Sequence, residues 1–330
     1  MDKAEHIKLD ILTVGSALND IFLISKEFNS VIHERRPYLH IPAEIKHDVP
    51  DIGNDVGGGA VSAAVTFART GSKVGCLAKV GADGAAQQVS HALEAEGIHS
   101  LLVVDKTHQT GVTVVLKGAN EEDTALVHRG AGFEYAEGFA EHAALDVDWL
   151  YITSLSGSID TLAQLVKQAT LQGSRVAVNP GSMEIKKRTR LLKILKQADV
   201  VILNHLEAEA LFQEQGVRRC FKLARAAGLH TVVITEGARG SWVLDGSYVY
   251  HAPLYKKSAV VDRTGAGTAY GAGLIAAIAR GKSMQEAMSF ASANATSVIG
   301  YLGARAGVLR NLEVDMMKID ISIFEGESEE

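Results

Sequence analysis

The sequence predicts a doubly wound α/β fold: a mostly parallel sheet covered by helices on both faces, with a small β lid inserted. Three features of the chain point there. Apolar runs of strand length alternate with amphipathic segments of helical length over most of its course. Where the first strand should lead into a helix, residues 20 to 45 instead carry two short strand-like pieces. Near the end, Val260-Val261 gives way to the small-residue turn Asp262-Arg263-Thr264-Gly265-Ala266-Gly267 and then to a long alanine-rich helix.

In order, the first strand covers Leu9 to Gly15. The excursion after it holds Asp20 to Ile24 and Tyr38 to Pro42, separated by a polar basic turn. Gly57-Gly58-Gly59 opens a helix that runs to Arg69 and stops at Thr70-Gly71. A strand over Lys73 to Val80, a helix from about Asp83 to Glu96 and a strand over His99 to Val104 form the next unit. Val112 to Leu116 and Thr124 to His128 add two strands to the lid or to a sheet edge. The alternation resumes with strand Trp149 to Thr153, helix Ile159 to Leu171, strand Arg175 to Asn179, helix Ile185 to Lys196, strand Val200 to Leu203 and helices within 205–227. Strand Thr231 to Thr235 and a hairpin around Asp245-Gly246 precede the glycine turn, and helices over 267–280 and 283–299 close the domain. No repeat, low-complexity segment or linker divides residues 1–330, so one domain is expected, with lid segments at about 20–45 and 111–129.

Composition narrows the function classes. Of 330 residues, 47% are hydrophobic and 22% charged, ordinary globular values, and the net charge of −6 argues against general affinity for nucleic acid or anionic membrane. Part of the acidity lies at 320–330, where Glu325, Glu327, Glu329 and Glu330 predict a frayed, solvated tail. Cys76 and Cys220 each sit in apolar surroundings, which favours buried thiols in a reducing compartment. The N-terminus lacks a signal-peptide core, no apolar run approaches a membrane span, and the twelve histidines show no metal spacing. A soluble cytoplasmic protein is expected.

The glycine turn is suited to an anion: Gly265 and Gly267 let successive N–H groups converge, and the following helix adds the positive end of its dipole. A Walker loop ending at Gly281-Lys282-Ser283 fails, since Ala276 stands where its first glycine belongs. A dinucleotide fingerprint also fails, with Tyr270 at the third glycine, and a nicotinamide-dependent oxidoreductase is disfavoured with it. Other strand ends carry ambiguous elements. Asn204-His205-Leu206-Glu207 reads as a capping box or as an amide and carboxylate near a magnesium-bound phosphate. Thr235-Glu236-Gly237-Ala238-Arg239-Gly240 borders a nucleotide or forms a plain turn, and Asp83-Gly84 and Gly57–Gly59 have equally plain readings.

Taken as an ordered set, these motifs resemble the PfkB carbohydrate kinase family, with its ribokinase-like fold, from about Asp10 to Gly307. The resemblance implies transfer of the γ-phosphoryl of ATP to a sugar or nucleoside hydroxyl, with Mg2+ and often a monovalent cation such as K+. It implies that Asp20, Gly58 and Gly59 contact the acceptor beneath the lid. Asn204 and Glu207 would organise magnesium and phosphates, Glu207 indirectly. Thr235, Gly237 and Gly240 would border the nucleotide, with Asn294 near the base. Gly265, Ala266 and Gly267 would form the anion hole, and Asp262 would help hold the monovalent cation. The apolar lid residues Phe22, Ile24, Tyr38 and Ile41 would cover the ligand or join two lids in a homodimer.

The chain also departs from the family. Where the motif continues to an aspartate that accepts the acceptor's proton, this chain has Thr268, a neutral hydroxyl and a poor base. Ser62 replaces an asparagine that binds the acceptor, and Gly132 in Gly130-Ala131-Gly132 is a less diagnostic third difference. Two functions follow: a sugar or nucleoside kinase by lineage with impaired transfer, or a catalytically inactive sugar-, nucleoside- or nucleotide-binding protein with a regulatory role. Either a natural or an engineered origin suits an inactive form.

Overall fold

The computed structural model describes residues 8–33, 36–118, 123–136, 138–143, 146–255, 259–312 and 319–325. Strand β1 (Leu9–Ser16) leads directly into lid strands β2 (Leu18–Ile24), β3 (Asn29–His33), β4 (Arg36–His40) and β5 (Asp51–Gly57) before the chain returns to the body as α1 (Gly59–Arg69). Next come β6 (Val74–Gly81), α2 (Gly84–Ala95) and β7 (His99–Asp105), then a second visit to the lid as β8 (Gly111–Lys117) and β9 (Asp123–His128). The body continues through β10 (Val147–Ile152), α3 (Ile159–Gln172), β11 (Arg175–Val178), α4 (Ser182–Ile185), α5 (Arg188–Leu195) and β12 (Val200–Asn204). Helices α6 (His205–Phe212) and α7 (Val217–Ala226) precede β13 (Thr231–Thr235), β14 (Ser241–Asp245) and β15 (Tyr248–Ala252). Finally α8 (Ala266–Ala279), α9 (Met284–Val298) and β16 (Ser322–Glu325) complete the described chain.

Among the described residues the main sheet has the order β16-β15-β14-β13-β12-β11-β10-β1-β6-β7, parallel from β13 to β7 and antiparallel at the other edge. Its central strands feed two cores. On β1, Leu12 and Val14 pack into the layer with α3, α5 and α7, whereas Ile11 faces the layer with α1, α8 and α9. Burial on both faces is why these strands read as continuous apolar runs. Helix α8 is apolar all round because it lies inside: a side chain at Gly271 would meet Tyr151 and Ile202, and one at Gly273 would meet α9 at Ala291. Close packing on both sides fixes where its N-terminus emerges, at the carboxyl ends of the parallel strands.

The lid is a separate sheet in the order β5-β2-β8-β9, with β3 and β4 as an attached hairpin pair. The sequence predicts no strand at β3 or β5. The sequence of β5, Asp-Ile-Gly-Asn-Asp-Val-Gly, has little intrinsic strand preference, and antiparallel pairing along the whole of β2 supplies what propensity lacks. The expected helix over 185–196 is interrupted between α4 and α5.

The expectation of a frayed tail from 320 is corrected by β16. Ser322–Glu325 pairs antiparallel with β15, and Phe324 stacks on Trp242 at 6.2 Å between ring centroids. One aromatic contact and a ladder of backbone bonds outweigh the acidity at that point. Residues 326–330, the rest of that predicted tail, lie outside the described residues.

Candidate active site

At the head of α8, Gly265 has φ of 80°, and a Cβ there would lie 2.4 Å from that of Ala304. Only glycine meets both demands. The Ala269 N–H donates to the Gly265 carbonyl (2.8 Å), so the N–H groups of Gly267 and Thr268 precede the first intrahelical bond. With the helix dipole behind them, these groups can receive an anion. Thr268 lies in this first turn, half-buried. Asp262 fixes the approach: it is buried, its Oδ1 accepts the Thr264 N–H (3.0 Å) and its Oδ2 the Gly303 N–H (2.9 Å).

Beside this turn lies a cleft of about 530 Å³ that brings together Thr235, Gly237, Gly240, Ala266 and Gly267. Gly240 sits at φ 89°, and a Cβ there would approach the Ala252 carbonyl to 2.1 Å, so the β13–β14 turn lies flat against the cleft wall. Further walls come from Leu254, Tyr255, Val260, from Ser292 and Thr296 on α9, and from Ile299 just past its end. Tyr270 forms part of the lining, and its buried hydroxyl accepts from Ser241 Oγ (2.7 Å). Burial pushes that phenol well above its usual range, so it stays neutral. Ser292, Thr296 and Ile299 recur at i, i+4 and i+7 beside the helix's apolar stripe, a periodicity that could have signalled them.

Asn294, expected near a base, is not among the residues that line this cleft. It is fully buried, its Nδ2 donates to the Ala269 carbonyl (2.9 Å) and its Oδ1 accepts the Leu309 N–H (2.9 Å). Its amide instead ties α8, α9 and the following loop together. Asn204 and Glu207 form the capping box: Asn204 Oδ1 accepts the Glu207 N–H and Glu207 Oε2 the Asn204 N–H, each at 2.9 Å. They lie outside the cleft lining, although Asn204 is registered opposite Thr235 in the sheet. Burial raises the Glu207 carboxyl above its ordinary range, opposed by its bonds with Asn204. Among the described residues no group of three or more His, Cys, Asp and Glu could hold a metal unaided.

On the other side of the α8 head, the lid presents charge. Asp20 on β2 lies across from Asp55 on β5 and Thr113 on β8, and its carboxylate covers Gly57 so closely that a Cβ there would lie 1.8 Å from Oδ2. Burial is the main cause that raises its pKa from 3.8 to about 6; the Thr113 hydrogen bond opposes the rise, while Asp55 and Asp262 add to it. Arg305 from the body pairs with Asp55, and Lys117 from the lid lies 2.5 Å from Asp123 and 3.7 Å from Asp262. Gly58 precedes α1, the Gly59 N–H donates to Ser16 Oγ (3.0 Å), and Ser62 is buried one turn into the helix. Of the apolar lid residues, Phe22 is buried in the lid itself, Ile24 is half-buried, and Tyr38 and Ile41 are exposed.

The chain is similar to several known proteins. Over 254 residues the chain is 29% identical to the cytidine kinase of Thermococcus kodakarensis, covering 74% of this chain and 87% of that protein. It is 27% identical over 266 residues to the ribokinase of Haemophilus influenzae, covering 76% and 83% respectively. A putative Ribokinase II from E. coli, solved in complex with ATP and Mg2+, superposes with a TM-score of 0.77 at 19% identity, covering 93% of this chain and 98% of that one. That likeness establishes a ribokinase-like fold. Residues 8–311 match the pfkB family of carbohydrate kinases throughout, and the chain belongs to that family.

Proposed function

We propose that this chain is a PfkB-type phosphotransferase by lineage, built to pass the γ-phosphoryl of Mg-ATP to a hydroxyl of a sugar or nucleoside, with transfer impaired at Thr268. The observation that carries this proposal is the convergence of Thr235, Gly237, Gly240, Ala266 and Gly267 on one cleft that ends at the α8 N-terminus. ATP lies in the cleft with its phosphates toward Gly265, Ala266 and Gly267. Magnesium supplies charge neutralisation when bound, held mainly through water and phosphate, with Glu207 acting indirectly. Asp20, Gly58, Gly59 and Ser62 face the acceptor. Phosphoryl transfer depends chiefly on positioning and charge, which these residues retain, but removal of the acceptor proton normally needs a base. Threonine cannot serve as one near neutral pH.

That same residue favours a second reading, a sugar-, nucleoside- or nucleotide-binding protein with a regulatory role and no turnover. Sugars and nucleosides would be assayed with Mg-ATP on the natural chain and on Thr268→Asp, with binding followed by calorimetry. Activity gained by the variant on any acceptor supports the kinase lineage. Retained binding with no gain on any acceptor favours the second reading, and absence of saturable nucleotide binding sinks both. We further place the protein in the cytoplasm, on the strength of two buried free thiols, and propose a homodimer through exposed lid residues such as Ile32, Tyr38 and Ile41.

A further inference from the structure

We infer that the Lys117 ammonium supplies, from the lid, the positive charge that an alkali cation would otherwise provide at Asp262. Lys117 ends β8, and its side chain is nine-tenths buried. Its Nζ lies 3.7 Å from Asp262 Oδ1 and 2.5 Å from Asp123 Oδ2. Asp262 is 1% exposed, so this ammonium is not one solvated partner among many. Each carboxylate oxygen already accepts one backbone N–H, and the Lys117 ammonium stands before the capacity that remains. Asp262 Oδ1 holds the Thr264 N–H at 3.0 Å, and its Oδ2 holds the Gly303 N–H at 2.9 Å.

Magnitudes decide between ammonium and alkali ion. A second unit charge about 4 Å from an unpaired ammonium would be repelled by about 4 kcal/mol at an effective dielectric of ~20, about 10³-fold in affinity, an upper bound here because Asp123 Oδ2 lies 2.5 Å from the same Nζ. A millimolar cation site has only about that much binding free energy in total. The residues at Asp262 therefore do not fit K+ while Lys117 is in place, contrary to what the family resemblance implies. Since β8 belongs to the lid and Asp262 to the loop that enters the anion hole, the charge arrives with the lid. Acceptor-side closure and phosphate-side electrostatics are then joined through one side chain.

Thermal unfolding of the ligand-free protein in KCl against tetramethylammonium chloride at equal ionic strength tests this without nucleotide, acceptor or turnover. The natural chain should unfold at the same temperature in both salts, and so should Lys117→Arg, which keeps the charge. Lys117→Met should unfold several degrees higher in KCl than in tetramethylammonium, because a vacated, buried carboxylate then accepts the metal. K+-specific stabilisation of the natural chain or of Lys117→Arg overturns the inference. So does a folded Lys117→Met that ignores K+, and if that variant does not fold, the other two proteins decide. The inference rests on Asp262 standing at the family's cation position, yet its readout is independent of catalysis. A failed rescue at Thr268 would thus leave it standing, and a K+ response in the natural chain would leave the kinase proposal untouched.

Discussion

On one side of the α8 N-terminus lies a cleft lined mostly by small and apolar residues, with Arg263 as its cation; on the other lies a knot of carboxylates and cations shared by lid and body. The cleft side, from Thr235 to Gly240 and across to Thr296, has Arg263 as its ionised lining residue, and in the proposed complex the helix dipole and N–H geometry do most of the electrostatic work. The lid side depends on individual charges: Asp20, Asp55, Lys117, Asp123, Asp262 and Arg305. Replacing one residue on the first side changes shape, whereas on the second it changes charge balance and protonation. In the proposed reading, the departures that the resemblance implies at Thr268 and Ser62 both concern the acceptor side. This asymmetry is what a protein that keeps nucleotide binding while losing transfer would show.

The sharpest way to break that contrast is Thr268→Asp. An aspartate in the first turn of α8 suits the dipole, so the fold should tolerate it. If only the base is missing, phosphoryl transfer to a true acceptor should rise by about 10²–10⁴, with ATP affinity nearly unchanged. Steady-state kinetics and calorimetry on the same preparation separate the two quantities. A large change in ATP affinity would mean that the cleft and the acceptor side are not independent.

Asp20→Asn probes the strain on the lid side. Its carboxyl titrates at about 6 in the fold against an ordinary 3.8, so the folded state disfavours the charged form. Its contribution to stability is fully present below about pH 4 and is lost as pH rises through about 6. The difference is roughly 3 kcal/mol, an upper bound. Asp20→Asn should therefore be more stable than the natural chain above pH ~7 and nearly equal to it near pH ~4, while acceptor binding weakens. Denaturant unfolding at the two pH values checks this. Equal stability differences at both would show that Asp20 bears no penalty.

Asn294→Ala tests the cleft side by subtraction. Two buried partners, the Ala269 carbonyl and the Leu309 N–H, would be left unmet, at a cost of about 2 kcal/mol. Nucleotide affinity should hold in conditions where the protein is folded. A loss of affinity larger than the loss of stability would support the expected place of Asn294 near the base.

Much of the fold was legible because parallel strands and their helices obey local patterns, and the glycine turn at 265–267 carries its own geometry. Less legible was whatever depends on distant partners. β5 is a strand only because β2 pairs with it, and β16 only because β15 and Trp242 await it. Asn294 looked available for a ligand because sequence does not reveal that Leu309 folds back to claim its oxygen. Lys117 stands at the end of an ordinary lid strand, and only the fold brings Asp262, well over a hundred residues later, within its reach.

The smallest effect concerns a motif with two readings. Asn204 and Glu207 meet the geometry of a capping box in full, which accounts for both residue types without any ligand. Asn204 also stands next to Thr235 at the strand ends, where a phosphate-bound magnesium would lie in the proposed complex. Asn204→Ala removes the cap and should cost about 1 kcal/mol of stability. Asn204→Ser keeps a capping oxygen but withdraws the amide, and should restore most of that stability. If capping is the whole role, both variants bind Mg-ATP as the natural chain does. If the amide also orders magnesium, the serine variant regains stability without regaining Mg-dependent affinity, and binding in EDTA shows no difference among the three proteins. The second outcome would extend the nucleotide side beyond its cleft and give it a polar dependence of its own, narrowing the contrast with the lid.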